Sequence, residues 1–240
     1  MQKLIILPGW GGTKETWQTF TDLAQRDFDV QVINLPCFGD EPCPNEVWGV
    51  KEYSNFVKQK LANLHTCTPV HLLGHSFGGH VAAYFTAQNP EMIDKLILFA
   101  PALFRQRRGL RRLLFGTAAK VGKLIFKLPF IEKFDVWAKK LLYKAADSPD
   151  YNETSGIKRE IFKKIIRQDL TEYLPKISAP TLLVQGDFDK YVPKKDSERA
   201  AKLIPNAKLE IVRFGRHGMH FQLPEILFKI INKFLNGNAA

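Results

Sequence analysis

The chain has 240 residues, 45% of them hydrophobic and 25% charged, a globular composition that excludes a disordered or collagen-like protein. Its formal net charge is +11, and residues 101–175 alone hold 17 basic and 8 acidic side chains, a net charge of +9. Because the charge is concentrated in one segment instead of covering the whole chain, we expect no nucleic-acid partner.

Short apolar runs alternate with helical patterns along most of the sequence. The predicted strands are Leu4–Leu7, Val30–Ile33, Val70–Leu73, Leu96–Phe99, Leu182–Val184 and Leu209–Val212. The predicted helices are Trp17–Ala24, Val50–Asn63, Gly79–Gln88, Ser197–Leu203 and Pro224–Leu235. Most strands are near-continuous apolar runs, typical of parallel strands covered on both faces. The pattern predicts an α/β fold with an open, mostly parallel sheet of about six strands and flanking helices.

This alternation stops between residues 101 and 175. Three apolar stripes recur there at helical spacing, over 110–128, 134–142 and 161–166, and basic residues fall between the apolar positions of the first stripe. We predict a basic helical cap, or lid, at 101–175, inserted into a core formed by 1–100 and 176–240. The apolar faces are expected to pack on the core, and the alternative is a weak contact with a membrane surface.

A candidate nucleophile follows the third predicted strand. Gly74-His75-Ser76-Phe77-Gly78 is a G-x-S-x-G motif standing directly between that strand and the next helix. Strand, tight turn and helix are the context of a nucleophile elbow, in which the turn lifts the serine hydroxyl clear of the sheet. Glycine is needed on both sides because larger side chains two residues from the serine would clash. The motif predicts Ser76 as a catalytic nucleophile.

With this motif the sequence resembles the α/β-hydrolase superfamily, from Ile5 to about Phe234. In that family the catalytic acid follows a later strand and the histidine follows the last one, in the chain order Ser, Asp, His. The resemblance places Asp189 at the acid position, after the strand that ends near Val184. Asp187 is the rival acid.

The catalytic histidine is assigned by the same resemblance. The family commonly has it seven residues before a Pro-Glu pair that opens the final helix, and His217 stands at this distance from Pro224. His220 does not fit the spacing. The residue before His217 is Arg216, where the family usually has glycine. We expect the other histidines to be structural; they are His65, His71, His75 and His80.

Serine is a poor nucleophile at its own pKa, so it needs imidazole as a base and a carboxylate to hold that imidazole. The reaction also needs an oxyanion hole. The loop from Pro8 to Gly12 resembles the family's H-G-x-G-G loop, with Pro8 in place of histidine. This resemblance implies the backbone N–H groups of Trp10 and Phe77 as the two oxyanion donors.

The small number of cysteines is evidence about the cellular compartment of the protein. Cys37 stands where the resembled loop after the second strand usually has glycine, and we expect Cys37 and Cys43 to be free thiols, with a redox pair as the alternative. Three cysteines and the absence of a secretory signal after Met1 lead us to expect a cytoplasmic protein. We see no phosphate-binding glycine loop or metal-ligand cluster, so we predict no cofactor and no metal.

The resemblance is to capped serine carboxylesterases, and we predict a hydrolase that cleaves carboxylic esters of small molecules through an acyl-enzyme. The alternatives are a thioesterase or C–C bond hydrolase with the same triad, and a catalytically silent interaction protein with a basic cap. The arginine-rich run at 105–112 leads us to expect anionic substrates, with a solvated basic face as the alternative.

Overall fold

The computed structural model describes residues 1–64, 69–105 and 154–237. These ranges contain one six-stranded sheet in which every neighbouring pair is parallel, in the order β2-β1-β3-β4-β5-β6. The strands are β1 (Lys3–Leu7), β2 (Asp29–Val32), β3 (Val70–His75), β4 (Ile93–Phe99), β5 (Thr181–Gly186) and β6 (Ala207–Val212). The predicted α/β fold with an open parallel sheet is confirmed.

The described ranges also contain seven α-helices. They are α1 (Gln18–Ala24), α2 (Val50–Asn63), α3 (Phe77–Gln88), α4 (Gly156–Ile165), α5 (Lys194–Leu203), α6 (Met219–Gln222) and α7 (Pro224–Asn236). Short 3₁₀ helices lie at Glu15–Trp17, Pro90–Met92 and Leu174–Lys176. None of the helices in these ranges is both long enough and apolar enough to cross a membrane. Helix α2 has the predicted bounds, whereas α3 begins two residues earlier than predicted, directly after Ser76.

Both faces of the sheet are covered, because alternate residues of the strands enter two separate hydrophobic clusters. On β1, Ile5 and Leu7 pack with buried residues of α2 and α3, whereas Leu4 and Ile6 pack with buried residues of α1 and α7. All four side chains are fully buried. Two buried faces explain why the strands read as continuous apolar runs without a period of two.

The sheet has its topological switch point at β1. The chain leaves β1 towards β2 on one side and returns as β3 on the other. Loops that leave β1 and β3 in opposite directions open a crevice at the carboxyl ends of these strands, the usual ligand position in open α/β sheets. Leu7 pairs in register with Gly74, so the loop after β1 lies beside the turn that contains Ser76.

The described part of the predicted cap packs on the core. Ile161, Phe162 and Ile165 of α4 are buried, which is the outcome expected for the third apolar stripe. The Leu170 N–H donates to the Leu103 carbonyl at 3.0 Å. The first two stripes and residues 106–112 of the arginine-rich run lie outside the described residues, and the division into core and cap stays a prediction.

The cysteine prediction needs a correction. Cys37 and Cys43 are joined by a disulfide, with an S–S distance of 2.08 Å, so they are not free thiols. The reason is a tight turn after β2. The Cys37 N–H donates to the Glu41 carbonyl at 3.2 Å, and the two cysteine Cα atoms are 4.1 Å apart. Sparse cysteines therefore no longer support a reducing compartment, and the cytoplasmic location stays a prediction.

Candidate active site

Ser76 occupies a sharp turn between β3 and α3. Its backbone has φ 51° and ψ −111°, a conformation that costs a residue with a side chain about 1–3 kcal/mol. Three backbone hydrogen bonds hold it there. The Ser76 N–H donates to Phe99 at 3.0 Å, and its carbonyl accepts from His80 and Ala102, both at 3.1 Å. The predicted order of strand, tight turn and helix around Ser76 matches the structure.

The two glycines of the motif are needed for close approach. A Cβ on Gly78 would lie 2.1 Å from the Leu7 carbonyl oxygen, and one on Gly74 would lie 2.5 Å from the Gly78 carbonyl oxygen. Both contacts are with backbone atoms that cannot move aside cheaply. The absence of a side chain at Gly78 is what lets the end of β1 lie against the turn containing Ser76.

Asp189 and His217 lie in the loops after β5 and β6, two adjacent strands. The His217 Nδ1 is 2.8 Å from the Asp189 Oδ2, and the Asp189 side chain is fully buried. Its other oxygen accepts from the Tyr191 and Val192 N–H groups at 2.7 and 3.0 Å. Burial opposes ionisation of Asp189, but the hydrogen bond and charge of His217 and these N–H groups outweigh it and lower the pKa of the carboxyl. Asp189 is therefore a buried carboxylate that is hydrogen-bonded to the His217 ring.

The rival residues are placed differently. Asp187 is exposed, and its backbone N–H donates to the Val212 carbonyl at 3.2 Å. His220 is buried and stacked on Trp17, with ring centroids 4.4 Å apart. Burial and the nearby His217 lower the pKa of His220 to about 4. The geometry thus pairs His217 with Asp189, and leaves Asp187 and His220 outside that pair.

Ser76 and His217 are linked through His75. Within the described residues the Ser76 hydroxyl makes no hydrogen bond to His217. Hydrogen bonds of catalytic groups are often long without a bound substrate and tighten when it binds. The His75 Nε2 is 3.0 Å from the His217 carbonyl oxygen, and the two rings are 4.7 Å apart. From the sequence His75 is expected to be an ordinary structural histidine, although its position directly before Ser76 places it close to the site.

The other histidines match the expectation of structural roles where they are described. The His71 Nε2 is 2.8 Å from the Gln2 Oε1, and the His80 Nδ1 is 2.8 Å from the Ala102 carbonyl oxygen. Both side chains are buried. His65 lies outside the described residues.

The loop after β1 provides the other side of the site. Among the described residues, the Trp10 and Phe77 N–H groups donate to no protein acceptor outside regular helices and strands. The Trp10 ring contacts Phe38 and Phe162, each with centroids 4.9 Å apart, and Phe77 at 5.4 Å. These rings form an aromatic cluster in which Phe38, Phe77 and Phe162 are buried and the Trp10 side chain is half-buried.

A model of the alpha/beta hydrolase fold family matches residues 3–224. The chain belongs to this family. The match begins at Lys3, the first residue of β1, and covers all six strands, so the resemblance inferred from the motifs is confirmed.

Three proteins show what the chain is similar to. A pimeloyl-[acyl-carrier protein] methyl ester esterase from Aliivibrio fischeri is 24% identical over 98% of this chain and 94% of its own. A 2-hydroxy-6-oxononadienedioate/2-hydroxy-6-oxononatrienedioate hydrolase from Cupriavidus pinatubonensis is 23% identical, over 98% and 86%. The crystal structure of a bacterial membrane phospholipase A superposes with a TM-score of 0.76 at 26% identity, over 99% and 80%. The family and these relatives support a hydrolase of this fold.

Proposed function

We propose that this protein is a serine hydrolase that cleaves carboxylic esters, with Ser76 as nucleophile, His217 as base and Asp189 as orienting acid. The observation that carries the proposal is the 2.8 Å pair of His217 with buried Asp189, next to an elbow that holds Ser76. The pair and the elbow together support a Ser-His-Asp triad, a constellation that is recognised by geometry and roles.

The first half of the reaction forms an acyl-enzyme. The Ser76 Oγ attacks the acyl carbon while its proton moves to the His217 Nε2, because the Nδ1 is engaged with Asp189. The ionised Asp189 stabilises the imidazolium that forms. The N–H groups of Trp10 and Phe77 donate to the developing oxyanion. His217 then protonates the leaving alkoxide, and the alcohol departs.

The second half uses the same groups with water. His217 removes a proton from a water molecule as it attacks the acyl carbon, and the oxyanion is held again by the two N–H groups. Collapse of the tetrahedral intermediate returns the proton to the Ser76 oxygen and releases the carboxylic acid. Neither half requires a metal or an organic cofactor.

The aromatic cluster favours an ester with an apolar acyl group. Trp10 lies at the centre of this cluster, and its own N–H is one of the proposed oxyanion donors. The relatives named as a methyl ester esterase and a phospholipase A support ester chemistry. The arginine-rich run at 105–112, mostly outside the described residues, supports a preference for anionic esters through charge steering, which depends on ionic strength.

A second candidate is hydrolysis of a carbon–carbon bond. It is favoured by the similarity to the 2-hydroxy-6-oxononadienedioate hydrolase, which covers nearly the whole of this chain. The triad alone does not choose the bond, because the same attack on a carbonyl carbon can expel an alkoxide, a thiolate or a carbanion.

A substrate panel tests the proposal. We expect p-nitrophenyl esters of graded acyl length to be hydrolysed with kcat/KM well above that of acyl thioesters and of a vinylogous 1,5-diketone, with Ser76→Ala as the matched blank. Faster turnover of the thioester or the diketone would replace ester hydrolysis with that activity. If none of the three substrates is hydrolysed in a way that depends on Ser76, the protein is a catalytically silent interaction protein.

A further inference from the structure

The imidazole of His75 lies where three functional segments meet. It directly precedes Ser76, its Nε2 is 3.0 Å from the carbonyl oxygen of His217, and a Cβ built on Gly9 would lie 2.9 Å from its Nδ1. Gly9 belongs to the loop that contains Trp10. One ring therefore touches the nucleophile turn, the loop of the base and the loop of an oxyanion donor.

The hydrogen bond fixes the proton on this ring. A backbone carbonyl oxygen only accepts, so the His75 Nε2 must carry the proton and donate it to His217. Burial lowers the pKa of His75 well below its usual value, and the nearby His217 and His220 lower it further, against a smaller opposing effect of the hydrogen bond. His75 is thus a neutral donor, and it adds no positive charge beside His217 when that ring becomes imidazolium.

Packing prevents the His75 ring from turning away. It stacks on Phe99 with centroids 4.5 Å apart and an interplanar angle of 19°, and His220 lies 4.9 Å away. The centroids of the Trp17 and His75 rings are 5.9 Å apart, with an interplanar angle of 65°. Only 6% of the residue is exposed. Because the His75 ring is held in this way, the loop that it contacts is held at a fixed position relative to the sheet.

Backbone hydrogen bonds hold the start of the His217 loop. As the loop leaves β6, the Gly215 N–H donates to the Val212 carbonyl at 3.0 Å and the Phe188 N–H donates to the Gly215 carbonyl at 2.9 Å, and the loop then enters α6 at Met219. Between these two ends, the bond from His75 holds the backbone of His217 itself. Asp189 holds the ring on the other side.

We propose that His75 is a positioning residue of the active site, which holds the His217 backbone so that its imidazole bridges Asp189 and Ser76. This inference rests on the proposed function. It assigns a role to the residue before the nucleophile that neither the motif nor the family match gives to it.

Two variants separate the hydrogen bond from the bulk of the ring. His75→Phe keeps an aromatic ring on Phe99 but removes the donor, whereas His75→Gln keeps a donor at about the reach of Nε2. His71→Phe is the matched control, because His71 is a buried histidine at the opposite end of the same strand. Hydrolysis of a p-nitrophenyl ester is measured per active site, with active sites counted by titration.

For His75→Phe we expect kcat to fall about tenfold, the worth of one hydrogen bond in the transition state, with KM changed less than about twofold. His75→Gln should recover most of the lost kcat, and His71→Phe should leave kcat and KM unchanged.

A second readout separates this proposal from the function. The His217 Nδ1 proton, hydrogen-bonded to Asp189, should give a low-field NMR signal that is lost or shifted in His75→Phe and retained in His75→Gln and His71→Phe. An unchanged signal and kcat in His75→Phe, with only a lower Tm, would reduce His75 to a packing residue. Absence of hydrolysis in the wild type would overturn the function, whereas the NMR comparison would still decide the positioning role.

Discussion

Acidification should unfold this protein, because several of its histidines are buried as neutral rings. Burial lowers the pKa of His80 to about 4, and burial together with His217 does the same for His220. His71 and His75 also have lowered pKa values, mainly through burial. In the unfolded chain a histidine has a pKa of about 6.5.

The sign and size of the effect follow from these values. Between pH 6.5 and 4 the unfolded chain binds a proton at each ring and the folded protein does not, so stability present above pH 6.5 is lost as the pH falls towards 4. A difference of about 2.5 pKa units corresponds to about 3 kcal/mol for His80 and the same for His220. Together these two contributions, about 6 kcal/mol, are comparable to the whole free energy of unfolding of a marginally stable protein, about 5–15 kcal/mol.

The dependence of the free energy of unfolding on pH can be measured by urea unfolding, followed by circular dichroism, at pH 7.5, 6.0, 5.0 and 4.5. We expect the free energy of unfolding to fall by about 2 kcal/mol or more per pH unit near pH 5, since each of these two histidines contributes about 1. His80→Gln should reduce that slope by about 1 kcal/mol per pH unit whatever it does to stability at pH 7.5. A free energy constant within 1 kcal/mol from pH 7.5 to 4.5 would refute the assignment of neutral buried rings.

Three further predictions concern the proposed catalytic residues, the glycine Gly78 and the Cys37–Cys43 disulfide. His217→Ala should lower kcat for a p-nitrophenyl ester by about 10³-fold or more, and Asp189→Asn by a similarly large factor, whereas His220→Ala and Asp187→Asn should change it by less than about tenfold. If steady-state kinetics showed a larger loss of kcat in His220→Ala than in His217→Ala, the role of base would pass to His220. A larger loss in Asp187→Asn than in Asp189→Asn would likewise make Asp187 the acid. Gly78→Ala should destabilise the protein by more than about 2 kcal/mol in urea unfolding, because its Cβ would meet the Leu7 carbonyl oxygen at 2.1 Å. Wild-type stability would mean that this approach of β1 to the elbow is not close. Joint replacement of Cys37 and Cys43 by serine should cost about 2 kcal/mol, the entropy of closing so short a loop, and an unchanged urea midpoint would show that the disulfide does not form in solution.

Much of the fold could be predicted because the strands have strong local signals. Each of the six apolar runs lies within its strand or overlaps most of it, although the strands are up to three residues longer than the runs. The missed residues are at strand ends. His75 and Gly186, for example, complete β3 and β5 by pairing with neighbours in the sheet, which apolarity does not reveal.

The residues of the site were predictable where a motif fixes their place. Ser76 came from local spacing, and Asp189 and His217 came from the family pattern, which encodes the order of the strands. The role of His75 was not predictable, because its partner is a backbone carbonyl 142 residues away in the chain. The Cys37–Cys43 disulfide was missed because six residues of separation do not reveal whether the turn brings both sulfurs together.

Labelling with a fluorophosphonate, followed by peptide mass analysis, tests the central claim most directly. If Ser76 is the nucleophile of an ester hydrolase, one adduct forms on the peptide that contains Ser76, at a rate that matches the loss of p-nitrophenyl ester hydrolysis, and Ser76→Ala neither labels nor hydrolyses. Hydrolysis that survives in Ser76→Ala above about a hundredth of the wild-type kcat, or inactivation by an adduct on another serine, would contradict the account.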